Sequence, residues 1–163
     1  MQIPDDRRAG AIIDSSGRYR YALWRCWQED APKAAFVMLN PSTADDRRND
    51  PTIARCIAFA KAWGYGSLEV VNLFAYRTAH PDELMHAADP VGKQNDAYML
   101  AAVNRSDLVL LAWGTRGSFW DRHQRVLNLL SRYDLYALGL TKDGFPRHPL
   151  YIRADSKPIR YRP

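Results

Sequence analysis

The chain has 163 residues, 47% hydrophobic and 25% charged, which excludes a mainly disordered protein and leaves room for a core without disulfide or metal staples. No apolar run approaches the roughly 20 residues that a membrane-crossing helix needs, so no membrane partner is expected. The formal net charge is +5, a balance that suits an acidic partner more than a basic one.

The opening stretch Met1-Gln2-Ile3-Pro4 runs into acids and arginines with no apolar core, so no secretion signal is expected. Cys26 and Cys56 lie far apart and form no CxxC pair. Free thiols, no metal, no cofactor and a cytoplasmic location are the simplest expectations. Residues 11–14, a Ser15-Ser16-Gly17 turn and the aromatic-rich residues 19–27 read as a β-hairpin, with Trp24 and Trp27 covering one side of the core. Residues 34–39 are continuously apolar, the mark of a strand buried on both faces of a parallel sheet. That run ends at Asn40-Pro41-Ser42. A helix is predicted over 51–63, with Asp50 as N-cap and Pro51 at the first helical position.

A second buried strand is predicted over 68–74 and a polar connection over 78–89. A helix over 92–104, a strand over 107–112, a helix over 118–132 and a strand over 134–140 follow. Strands alternating with helices imply right-handed βαβ units. The expected fold class is α/β: a three-layer α/β/α sandwich around a central, mainly parallel four-stranded sheet, plus the N-terminal hairpin. One domain is expected over 1–163, with a hairpin appendage at 1–30, a core at 34–151 and a basic tail at 152–163. The basic residues from position 142 onward are Lys142, Arg147, Arg153, Lys157, Arg160 and Arg162, against Asp143 and Asp155. On charge alone this segment reads equally as a solvated tail or as a surface for a phosphate backbone.

Ligands in such folds bind at the carboxyl ends of the strands. Asn40 there is either a turn-former before proline or an amide that holds water or substrate. Asn72 sits inside Val70-Val71-Asn72-Leu73-Phe74, where an unpartnered amide costs about 1–3 kcal/mol. It must be satisfied by nearby backbone or face a pocket. His148, held between Pro146 and Pro149, is a placed imidazole able to donate to a developing anion. His80, His86 and His123 read as surface residues. Asp45, Asp46 and Asp50 read as loop charges or as holders of a cation or water. Glycine-rich phosphate loops and GxSxG are absent.

Taken in order, Leu39-Asn40-Pro41-Ser42, Val70 to His80, Leu108 to Gly114 and Arg147-His148-Pro149-Leu150 resemble the motifs of the uracil-DNA glycosylase superfamily. The whole chain resembles still more a family of small bacterial and phage proteins without established activity. That likeness rests on Met38-Leu39-Asn40-Pro41-Ser42-Thr43-Ala44-Asp45, Asn49-Asp50-Pro51-Thr52 and Gly144-Phe145-Pro146-Arg147-His148-Pro149-Leu150-Tyr151.

The glycosylase resemblance implies hydrolysis of an N-glycosidic bond of a modified or mismatched base flipped out of DNA. It implies that Asn40 positions water or steadies the sugar cation, Asn72 reads the base and His148 donates to the leaving base. Phe74, Tyr76 or Trp113 would stack on the base, and Leu150 or Tyr151 would wedge into the duplex. Ser42, Arg147, Arg153 and Lys157 would hold DNA. A monomer with no iron–sulfur cluster is implied, since the cluster-bearing branches use four cysteines. Met38 replaces the family's glycine, and Leu150 its serine. A non-catalytic nucleic-acid or modified-base binder and a hydrolase or transferase of free nucleotides are the competing expectations.

Overall fold

In the computed structural model, residues 8–163 are described. The first seven residues, which include the start of the 1–30 segment and most of the stretch read for a secretion signal, lie outside them. The strands are β1 (Ala9–Ile13), β2 (Arg20–Cys26), β3 (Lys33–Met38), β4 (Ser67–Asn72), β5 (Leu108–Leu111), β6 (Tyr136–Ala137) and β7 (Ile159–Arg160). The helices are α1 (Pro51–Ala62), α2 (Asn95–Asn104) and α3 (Arg122–Leu129).

All seven strands join one sheet in the order β1-β2-β4-β3-β5-β6-β7. This corrects the expected four-stranded sheet with an appended hairpin. Strands β4, β3, β5 and β6 run parallel. The hairpin continues the sheet, because β2 pairs antiparallel with β4 from Leu23↔Val70 to Cys26↔Ser67. At the other edge β7 pairs antiparallel with β6. An aromatic-rich strand buried almost throughout cannot stand apart as an appendage; it needs a neighbour on each side.

Helices cover both faces. On one, Ile53, Cys56, Phe59 and Ala60 of α1 pack on Leu23, Phe36, Leu68, Val70 and Leu110. On the other, Met99, Ala102 and Val103 of α2 and Val126 and Leu127 of α3 pack on Val37, Val71, Val109 and Leu111. Consecutive residues of β3 therefore serve opposite cores, which is why its sequence shows no alternation. Helix α1 starts as expected: the Asp50 carboxylate accepts from Ile53 N at 2.8 Å, with Pro51 next.

Several elements are shorter than the sequence predicts. Trp120 and Asp121 both adopt positive φ, 50° and 58°. That break confines α3 to eight residues and interrupts the 3₁₀ stretch Thr115–Asp121, which is non-helical at Phe119 and Trp120. The last parallel strand shrinks to Tyr136–Ala137, and the chain bends at Gly139, φ 129°. The polar connection after β4 holds a 3₁₀ turn, Pro81–Met85, which buries Leu84 completely. The basic C-terminal segment folds back on the body. Ile152 is buried, Trp63 Nε1 donates to Ser156 O at 2.9 Å, and Tyr161 N donates to Leu135 O at 2.8 Å.

Candidate functional site

The parallel register brings three strand ends level. Met38 lies opposite Asn72, and Val37 opposite Leu111. Two residues beyond β3 comes Asn40, and two beyond β5 comes Trp113. The ladder carries on past the strands through Phe74 N to Leu39 O (3.0 Å) and Thr78 N to Pro41 O (2.9 Å). The loop bearing His148 joins the same edge because Gly114 N donates to Pro146 O (2.8 Å) and Arg147 N to Gly139 O (3.0 Å). These ends enclose a cavity of about 610 Å³, a size suited to one small ligand.

Asn40, Ser42, Asn72, Trp113, Arg147, His148, Leu150 and Tyr151 all line it. Asn40 donates from Nδ2 to the carbonyls of Pro41 and Thr78, each at 2.9 Å. Two carbonyl partners settle which end of this amide is nitrogen. Oδ1 is left as the acceptor for water or ligand. Asn72 is 2% exposed. Its Oδ1 accepts from an Arg20 nitrogen at 3.4 Å, a long bond. Its own carbonyl accepts from Asn95 Nδ2 at 2.8 Å, so a wholly buried amide at the start of α2 clamps the end of β4.

His148 Nδ1 accepts from Leu150 N at 3.2 Å. The neutral ring therefore carries its proton on Nε2. Burial pushes its pKa below the ordinary histidine value, with the charge of Asp50 opposing. The imidazole is thus held neutral and able to donate near pH 7. Trp113 is 1% exposed, and its indole N–H has no hydrogen-bond partner among the described residues.

The other sequence-nominated residues lie elsewhere. Phe74 is fully buried in the core between the sheet and helices α2 and α3, edge-on to Trp120 at 6.1 Å. Period-two spacing from Asn72 would keep Phe74 on the same face. The strand stops at Asn72, however, and Leu73 and Phe74 both turn into that core. Tyr76 bridges to Tyr19, with rings edge-to-face at 5.9 Å, and does not line the cavity. Arg153 and Lys157 are exposed away from it, and Arg153 grips Asp155 at 3.0 and 3.1 Å.

Residues not nominated for the site from the sequence also reach the cavity: Arg20 from the start of β2, Arg116, and the threonines Thr52, Thr78, Thr115 and Thr141. Asp50 lines it too, which separates it from the exposed Asp46. Among the described residues no group of three or more His, Cys, Asp or Glu is placed to hold a metal ion. Cys56 is free and fully buried, and burial drives its thiol pKa up, so it is inert. No helix of the described residues is long and apolar enough to cross a membrane.

A protein family described as a protein of unknown function (DUF1643) matches residues 20–150. No curated protein and no solved structure matches the chain.

Proposed function

Since the chain belongs to the DUF1643 family, whose description carries no activity, we propose from the site itself that the protein is a DNA glycosylase-like hydrolase. The cavity takes one modified or mismatched nucleotide flipped out of DNA and cleaves its N-glycosidic bond. One observation carries this reading: Asn40, Asn72 and His148, from three separate segments, line the same cavity at the carboxyl edge of the sheet.

The bond from C1′ to the base breaks, and its electron pair leaves on the base. Water bonds to C1′ and releases a proton. Asn40 Oδ1 holds that water or faces the sugar cation. An amide cannot accept the proton, and Asp50, the carboxylate on the same wall, can. The Nε2–H of neutral His148 donates to a base oxygen as negative charge builds there. Asn72 hydrogen-bonds the base edge. Of the aromatics nominated for the base, only Trp113 borders the ligand space. Tyr151, 97% exposed at the cavity mouth, is free to enter the space the base leaves, with Leu150 beside it. Arg147 serves the backbone phosphates.

The test is incubation with single- and double-stranded oligonucleotides carrying uracil, hypoxanthine, mismatched thymine or bulky modified pyrimidines, followed by alkali. Strand breakage that disappears in Asn40→Ala and His148→Ala is the expected result. A second reading, action on a free nucleotide, is favoured by a cavity large enough for a whole nucleotide. It predicts base release from free nucleotides and none from any oligonucleotide.

A further inference from the structure

Three arginines are buried among the described residues, and two of them are tied firmly into the fold. Arg25 donates to Asn49 Oδ1 and to the carbonyls of Gly10, Trp24, Asp45 and Arg48. Arg122 pairs with Asp96 at 2.6 Å and donates to Leu73 O at 2.8 Å. Arg20 is the exception. It is 2% exposed and forms no ion pair with any carboxylate of the described residues. It donates only to Ala44 O at 3.2 Å and to Asn72 Oδ1 at 3.4 Å, and its Nε is without a partner there.

This guanidinium lies on the wall of the cavity. Asp50, the carboxylate on that wall, spends one oxygen capping α1. Arg147 adds a second cation without an ion pair among the described residues, whereas Arg116 is paired with Asp82 at 3.2 Å. Other residues that line the cavity also offer donors. Asn72 has its Oδ1 turned to Arg20, and His148 has its Nδ1 occupied by Leu150 N. A buried cation without an ion pair, in a cavity whose wall carries further donors, is complementary to an oxygen anion.

We infer that Arg20 is the anion receptor of this cavity and that the ligand places a negatively charged oxygen group, a phosphate or a carboxylate, against it. The inference needs the cavity but not the glycosidic chemistry. A phosphate would belong to the nucleotide itself, a carboxylate to an acidic substituent on the base.

Calorimetric titration of the full chain tests it with four probes: inorganic phosphate, deoxyuridine 5′-monophosphate, orotate (a pyrimidine bearing a carboxylate) and neutral deoxyuridine. At least one anion is expected to bind at least about tenfold tighter than deoxyuridine. That advantage should vanish in Arg20→Gln and largely survive in Arg20→Lys. Tighter binding of phosphate and the monophosphate assigns the group to the nucleotide, and tighter binding of orotate assigns it to the base. Deoxyuridine binding as well as every anion, or an anion binding Arg20→Gln unchanged, overturns the inference. Should Arg20→Gln fail to fold, Arg147→Gln decides the matter: an anion advantage that survives it is expected, and an advantage lost with it overturns the inference. Binding is read without cleavage, so this result and the strand-breakage result can fail independently.

Discussion

Arg20→Met and Arg25→Met separate a cation kept for a ligand from a cation kept for the fold. Both arginines belong to β2 and both are buried. Arg25 ties the loop after β3 to the sheet through Asp45 O at 2.6 Å, Arg48 O at 3.2 Å and Asn49 Oδ1 at 2.9 Å. Its loss leaves several acceptors without a donor, at about 1–3 kcal/mol for each that stays buried, so at least ~3 kcal/mol in all. Arg20 is different. Burial lowers its pKa to about 10, which disfavours the charged form by about 3 kcal/mol.

Methionine at position 20 relieves that penalty and forfeits two hydrogen bonds, one of them long, so the two effects nearly cancel. In a domain of this size about 1 kcal/mol moves Tm by about 2–4 °C. Thermal unfolding followed by circular dichroism should therefore show Arg25→Met lowered by about 6–12 °C. Arg20→Met should stay within about 4 °C of wild type. An equal fall in both would refute the reasoning, since Arg20 would then be a structural residue.

Three further outcomes follow from the geometry. Because burial holds His148 neutral in the folded chain, its share of stability is intact above the unfolded pKa of about 6.5. That share declines as pH falls below this value and levels off beneath the lowered native pKa. Urea unfolding at neutral and mildly acidic pH should show a smaller acid loss in His148→Gln than in wild type, and equal losses would contradict the assignment.

In Gly117→Ala the new Cβ would lie 2.3 Å from Trp113 Cδ1 and 2.7 Å from its Nε1. A ring 1% exposed cannot swing aside, so a cost of about 1–3 kcal/mol is expected in urea unfolding, and unchanged stability would show that the wall yields. Tyr151 combines 97% exposure with a φ of 67°. Tyr151→Ala should leave stability within about 0.5 kcal/mol of wild type while weakening oligonucleotide binding severalfold, and unchanged binding would remove it from the DNA surface.

The parallel strands and α1 were legible because each carries its own local signal: an apolar run without alternation, or a cap followed by proline. The polar residues that line the cavity at strand ends were legible for a related reason, since polar groups that interrupt apolar runs need a partner or a ligand. Arg20 carried no such signal. Its burial depends on β2 becoming an internal strand, a pairing with β4 distant in sequence. Phe74, nominated through the resemblance alone, lies in the core because the strand ends at Asn72 and the next two residues turn inward. The helix predicted over 118–132 ignored two left-handed residues that no residue type announces, Trp120 and Asp121. The two-residue strands β6 and β7 exist by pairing with each other and with β5, not by propensity.

The most direct test of the glycosylase reading is single-turnover formation of abasic sites by wild type, Asn40→Ala and His148→Ala, with oligonucleotide affinity measured in parallel. The account predicts abasic product from wild type and a loss of about 10²–10³-fold in rate for His148→Ala, with binding changed only a few-fold. Folded wild-type protein that releases no base from any oligonucleotide, or a His148→Ala rate equal to wild type, would contradict it.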